Sequence, residues 1–265
     1  MDVNKHIFNQ NNLYAWCIVP FDKLNRTPSE RIKMLKELGF NSYGYDWRNE
    51  HIPTMEEEFL LAKENNISIK CVWMWIDGNY DNINNLSDWN EELLHKIKNV
   101  DLRTSIWLGF HPNFFNNLSE DDAVNKGTAM IEFLNRKADS IGCEIALYNH
   151  GDWFGEPENQ IKIIEKLKTN KVGMVYNLHH GHEQIDRFPQ LLKIMMPYLI
   201  AVNINGMNPD GPKILPIGSG SKDKEMLNEL INSGYKGPVG ILGHIEDEDV
   251  KIVLQRNLDG LKEFQ

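Results

Sequence analysis

Eight short apolar runs, each followed by a polar loop and an amphipathic stretch, recur along the chain and decide what it can fold into. The runs span residues 13–19, 41–45, 68–76, 104–110, 144–148, 172–176, 200–204 and 238–242. They are rich in β-branched and aromatic residues, which suit a pleated, buried strand. Their starts lie 27 to 40 residues apart, about the size of one strand–helix–strand unit. The intervening segments start and stop as helices do. Thr27-Pro28-Ser29-Glu30 reads as a capping box with proline at the first helical position, and Gly39 ends that helix. Thr54-Met55-Glu56-Glu57 repeats the box, Ser87 and Ser119 cap the third and fourth stretches, and Pro157 opens the fifth. Leu191, Leu192 and Met195 mark the sixth, and Met226, Leu227, Leu230 and Ile231 the seventh. Val250, Val253, Leu254 and Leu258 mark the last.

Strands alternating with helices form parallel units that need helices on the outside. Eight of them in this length fit one closed (β/α)8 TIM barrel over residues 1–265. An open doubly wound sheet is the alternative, and it usually carries a glycine-rich phosphate turn after its first strand. Here that turn reads Ile18-Val19-Pro20-Phe21-Asp22, without glycine, so no dinucleotide site is expected. Ile217-Gly218-Ser219-Gly220 lacks the Lys-Ser/Thr of a P-loop and reads as a tight turn.

With 265 residues, 41% of them hydrophobic, the chain can bury a sizeable core, and no apolar run is long enough for a membrane span. Its formal net charge of −10 comes without a Lys/Arg cluster. Phosphate neutralisation dominates nucleic-acid affinity, so neither nucleic acid nor an anionic membrane is an expected partner. Three scattered cysteines, Cys17, Cys71 and Cys143, read as buried free thiols. The N-terminal segment has no apolar h-region, so a cytoplasmic location is expected, or an exported one if a leader has been trimmed.

In such a barrel the active site lies at the C-terminal ends of the strands. Six of nine histidines fall there: His111, His150, His179, His180, His182 and His244; His6, His51 and His95 do not. Imidazole suits proton transfer near neutral pH and is a common metal ligand. Barrel closure is expected to gather these rings around one cavity. Trp47, Trp75 and Trp153 stand at or just beyond strand ends, where a flat ring can stack on a sugar, while Trp16, Trp73 and Trp107 read as core packing. Asp46 and Arg48 read as a pair that orients hydroxyls or as a rim salt bridge.

Residues 146–151 (Ala-Leu-Tyr-Asn-His-Gly), 175–180 (Val-Tyr-Asn-Leu-His-His), 201–207 (Ala-Val-Asn-Ile-Asn-Gly-Met) and 234–244, which end in Gly-Ile-Leu-Gly-His, resemble the xylose-isomerase-like TIM barrels; so does 257–261 (Asn-Leu-Asp-Gly-Leu). The similarity covers essentially the whole chain and points to the sugar isomerase/epimerase branch, related to endonuclease IV. The resemblance implies a metal site of Glu, Asp, His and Glu on strands five to eight. This chain has Tyr148, Asn177, Asn203 and Leu242 at those places, poor substitutes for anionic oxygen ligands, and keeps only the histidine of an Asp-x-x-His motif, as His180. The usual Mn²⁺ or Zn²⁺ site is therefore not expected in its ordinary place.

Two residues beyond each lost ligand stand His150, His179, Asn205 and His244. If the strands run on, these share the inward face, about 6.6 Å nearer the mouth. The polar constellation then sits one layer up. It is either a metal site for a softer ion such as Zn²⁺, with His150, His179, His180 and His244 as ligands, or a metal-free acid–base cluster.

The resemblance implies isomerisation or epimerisation of a sugar or keto-sugar. His150 and His180 are then the acid–base pair, with His244 as a third catalytic imidazole and Asn205 helping it polarise the substrate oxygen. Asp46, Arg48 and Trp75 would orient the substrate, with His111, Trp153, Asn177 and His179 as further contacts. A keto-sugar lyase or hydratase, or a carbohydrate-binding barrel without catalysis, remain the alternatives. The partner is a small carbohydrate; the sequence does not give the oligomeric state.

Overall fold

The structure is a computed structural model and describes residues 7–78, 83, 85–169 and 171–264; His6 lies outside them. The eight strands are β1 Leu13–Trp16, β2 Ser42–Tyr45, β3 Ser68–Ile76, β4 Ser105–Phe110, β5 Glu144–Tyr148, β6 Val172–Asn177, β7 Leu199–Ile204 and β8 Val239–Leu242. All pair in parallel with their sequence neighbours, and β8 returns to β1, so the sheet closes into a (β/α)8 barrel. The outer ring is α1 Pro28–Glu37, α2 Met55–Glu64, α3 Asp88–Asn99, α4 Glu120–Ser140, α5 Asp152–Gly155, α6 Pro157–Lys166, α7 Phe188–Met195, α8 Asp223–Asn232 and α9 Val250–Leu261.

Three departures from the sequence reading have local causes. The run 13–19 is extended only to Trp16, because Cys17 adopts a left-handed φ of 56° and turns the chain. The Asp46 carboxylate then takes the amides of Ile18 and Val19 in place of a sheet neighbour, at 3.3 and 3.2 Å. At Thr54 no cap forms, because a 3-10 turn over Asn49–Thr54 runs straight into α2. The short helix α5 precedes the one opened by Pro157. The caps at Ser87 and Ser119 are made, by their hydroxyls on the amides of Asn90 and Asp122. At the start of α1, Glu30 accepts both the amide and the hydroxyl of Thr27, at 2.9 and 2.7 Å.

Apolar side chains form two bodies. One fills the space between strands and helices. The other fills the barrel interior: Tyr14, Trp16, Cys71, Trp107, Ala146, Tyr148, Val175, Ala201 and Leu242. Large indoles fit there because the facing strands yield space. At Gly44 a Cβ would lie 2.4 Å from the Trp16 ring and 2.7 Å from Cys71 Sγ. All three cysteines are free and buried. Among the described residues no helix is long and apolar enough to cross a membrane.

Candidate active site

The interior body reaches the level where the barrel resemblance implies a metal. Tyr148, Asn177, Asn203 and Leu242 are all at most 2% exposed. Tyr148 Oη accepts from Trp16 Nε1 at 3.1 Å and from Asn177 Nδ2; Tyr14 Oη donates to Asn203 Oδ1 at 2.5 Å. Burial holds the Tyr14 and Tyr148 phenols well above their ordinary range, so both stay neutral. Two neutral amides, a neutral phenol and an isobutyl group, already bonded or packed to one another, do not fit a hard divalent cation.

Above this layer the structure brings four imidazoles into one row. Ring centroids lie 4.5 Å apart for His150–His180, 4.5 Å for His180–His179 and 5.5 Å for His179–His244. Strand periodicity is not what aligns them, since β5 ends at Tyr148 and β6 at Asn177. His150 follows a tight turn, and His179 and His180 sit in a 3-10 turn over Leu178–His180, where Asn177 Oδ1 accepts from the His179 amide. Burial in this crowded mouth lowers all four pKa values, and neighbouring imidazoles lower them further. His150 and His244 fall to about 4, with the Arg48 guanidinium contributing to both. His150 itself is exposed to solvent at the end of the row. Near neutral pH the row is uncharged.

His179 directs Nδ1 at the Lys213 carbonyl, 3.2 Å away. The ring nitrogens of His150, His180 and His244 have no hydrogen-bond partner among the described residues. Among those residues no group of three or more His, Cys, Asp or Glu side chains is arranged to hold a metal ion, so the row does not fit the ligand set anticipated for Zn²⁺.

Beside His150 opens a cleft of about 570 Å³ whose walls include Trp47, Trp73, Trp75, Arg48 and Asp77. Trp75 meets the His150 ring edge-on at 4.9 Å and stacks on Trp73 at 6.1 Å. Trp73, read from sequence as core, thus has one side on the barrel interior and one on the cleft. Gly109 makes this possible, since a Cβ there would lie 2.3 Å from the Trp73 ring and 2.9 Å from Trp75. Trp47 Nε1 ties the wall to the Trp73 carbonyl at 2.7 Å.

Other expected contacts take different places. Asp46 and Arg48 form no ion pair: Arg48 donates to the carbonyls of Asp46 and Trp47, both at 2.9 Å, while the Asp46 carboxyl is buried and desolvated, its pKa raised. His111 caps a 3-10 turn through Nδ1 and meets Trp75 at 6.3 Å on the rim. Trp153 packs on Phe115 at 4.7 Å and is absent from the cleft wall.

Asn205, expected to help polarise a substrate oxygen, directs its Nδ2 to the carbonyls of Gly206 and Lys213 at 2.8 and 3.3 Å. It belongs to the β7–α8 loop, which His182 also fastens through the carbonyls of Asn208 and Lys213, at 3.1 and 2.8 Å. Trp89, Asn90 and Asn49, which complete the cleft, were not singled out in the sequence. Trp89 sits about 90° from the centre of the α3 apolar stripe, so a large aromatic off the stripe was the one available signal.

No family model and no curated sequence matches the chain. Solved structures do match its fold. A 3-keto-D-glucoside 4-epimerase from E. coli superposes with a TM-score of 0.68 at 18% identity, covering 96% of this chain and 98% of that one. A D-psicose 3-epimerase from Clostridium cellulolyticum H10 gives 0.67 at 12% identity, over 95% and 97%. A probable 3-DHS dehydratase from Bacillus anthracis gives 0.67 at 11% identity, over 94% and 98%. These likenesses, all at 18% identity or below, show a shared closed (β/α)8 barrel fold.

Proposed function

We propose that the chain is an enzyme that isomerises or epimerises a sugar or keto-sugar by moving a proton at the carbon beside a carbonyl. The observation that carries this reading is the His150–His180 pair, two neutral imidazoles 4.5 Å apart, of which His150 lines a tryptophan-walled cleft. Such a reaction needs one group to take the C–H proton and another to return it or to donate to the enolate oxygen. A neutral imidazole can accept at one nitrogen and donate at the other. Held near pKa 4, it is about as strong a base as a carboxylate. His244 adds a third such ring, and the Arg48 guanidinium supplies positive potential toward the developing oxyanion. Trp75 and Trp73 offer ring faces to the sugar. Arg48 is the one cation on the cleft wall among the described residues, which favours a neutral sugar over a phosphorylated one. The fold shared with two sugar epimerases supports a carbohydrate substrate.

The test is solvent exchange. Incubation with candidate ketoses in D₂O should place deuterium at the carbon next to the carbonyl. His150→Ala and His180→Ala should each slow it by about 10²–10⁴-fold. Full turnover in His180→Ala would refute the pair. The dehydratase of like fold supports a second reading, in which the same proton abstraction starts an elimination; loss of water from the product separates the two. The filled metal layer supports a third, a sugar-binding barrel without catalysis, and that reading expects binding with no exchange at all.

A further inference from the structure

The cleft extends well beyond the imidazole pair. Its volume of about 570 Å³ lies in the range of pockets that take drug-sized ligands, more room than one sugar ring at His150 needs. Part of its wall is the first turn of α3, in the outer helical ring. There Trp89 is 51% exposed, the only exposed tryptophan among the described residues. Leaving an indole in water is costly, and a large exposed aromatic on a cleft wall commonly serves a ligand.

Trp89 is also held in place. Its neighbour Asn90 is buried and donates Nδ2 to the Trp75 carbonyl at 2.8 Å, which pins the turn to the end of β3. The Ser87 hydroxyl caps the same turn. The same wall carries Asp77 and Asn49, a carboxylate and an amide. Indole rings together with planar acceptors and donors on one wall match the apolar faces and hydroxyl edges of a sugar, whereas an alkyl or aryl group would leave those polar groups unpaired.

We propose that this outer half of the cleft is a second sugar subsite, so that the substrate is a glycoside of at least two rings. The reacting ring lies by His150 and its neighbour lies on Trp89. The inference rests on the reading of the mouth as a sugar site. It names the substrate class that the site takes.

Calorimetric titration tests it, with glucose and fructose set against maltose, cellobiose and sucrose, on the full chain and on Trp89→Ala and Trp75→Ala. Trp89 is a surface residue, and a matching thermal melt verifies each variant's fold. At least one disaccharide should bind tenfold or more tighter than its monosaccharides. Trp89→Ala should reduce that ratio to within about twofold of unity, and Trp75→Ala should weaken both kinds of ligand. Monosaccharide binding that Trp75→Ala weakens, with no disaccharide advantage or one that survives Trp89→Ala, would overturn the subsite and leave the sugar site standing. No binding of any of the five sugars would overturn both.

Discussion

Replacing Tyr148 by Phe tests whether the layer that fills the implied metal position is structural. Tyr148 is 2% exposed, and its oxygen is the single acceptor for Trp16 Nε1, at 3.1 Å, and for Asn177 Nδ2. Those donors belong to residues 1% and 0% exposed, so neither finds water when the oxygen is removed. A buried donor left unsatisfied costs about 1–3 kcal/mol, so two stranded donors cost about 2–4 kcal/mol after modest relaxation. For a chain of this size that corresponds to a drop of about 4–7 °C in Tm. Urea and thermal unfolding of Tyr148→Phe, Asn177→Ala and the double variant measure it. The coupling between the two should be about 1–2 kcal/mol, since they share one hydrogen bond. A loss in Tyr148→Phe below about 0.5 kcal/mol, within the range of an ordinary surface change, would refute the account of this layer.

Stability should also follow the imidazole row. His150 and His244 titrate near 4 in the folded chain, against about 6.5 unfolded. The unfolded state therefore binds more protons between these values, and stability is full above pH 6.5 and falls toward pH 4. Melts across that window should flatten in a His150→Gln, His244→Gln double variant, and an unchanged slope would count against the burial of these rings. Gly109→Ala should push the Trp73 and Trp75 rings, costing about 1–3 kcal/mol by overpacking and weakening sugar binding; titration and melting read both.

Asp223, 2% exposed, accepts from the amides of Met207, Gly218 and Gly220. Asp223→Ala should cost about 2–4 kcal/mol and loosen the β7–α8 loop, seen as faster amide exchange at Gly218 and Gly220. Protection equal to the parent chain would remove its structural role.

Much of the barrel was legible because strand and helix periodicities are local. The eight runs became the eight strands within a few residues, and Ser87 and Ser119 cap the helices they introduce. Tyr148, Asn177, Asn203 and Leu242 also showed which residue types fill the inner layer, because residue type is read directly from the chain. Side-chain partners were not legible. Asp46 and Arg48 are neighbours in sequence, yet the carboxylate turns inward to the β1 turn and the guanidinium outward to carbonyls. Trp73 and Trp153 exchanged expected places, since which side of an indole meets the cleft depends on Gly109 and Phe115, distant in the chain.

Alternating patterns along the chain thus set the architecture, because burying eight apolar strands beneath amphipathic helices has few solutions and closure is one of them. They also fixed which residue types reach the mouth. Only the folded chain decided that His150, His180, His179 and His244 stand in one row, and that Asn205 is spent on its own loop. Those outcomes turn on where strands stop and which carbonyl lies nearest, distances between segments far apart in sequence that no local pattern encodes.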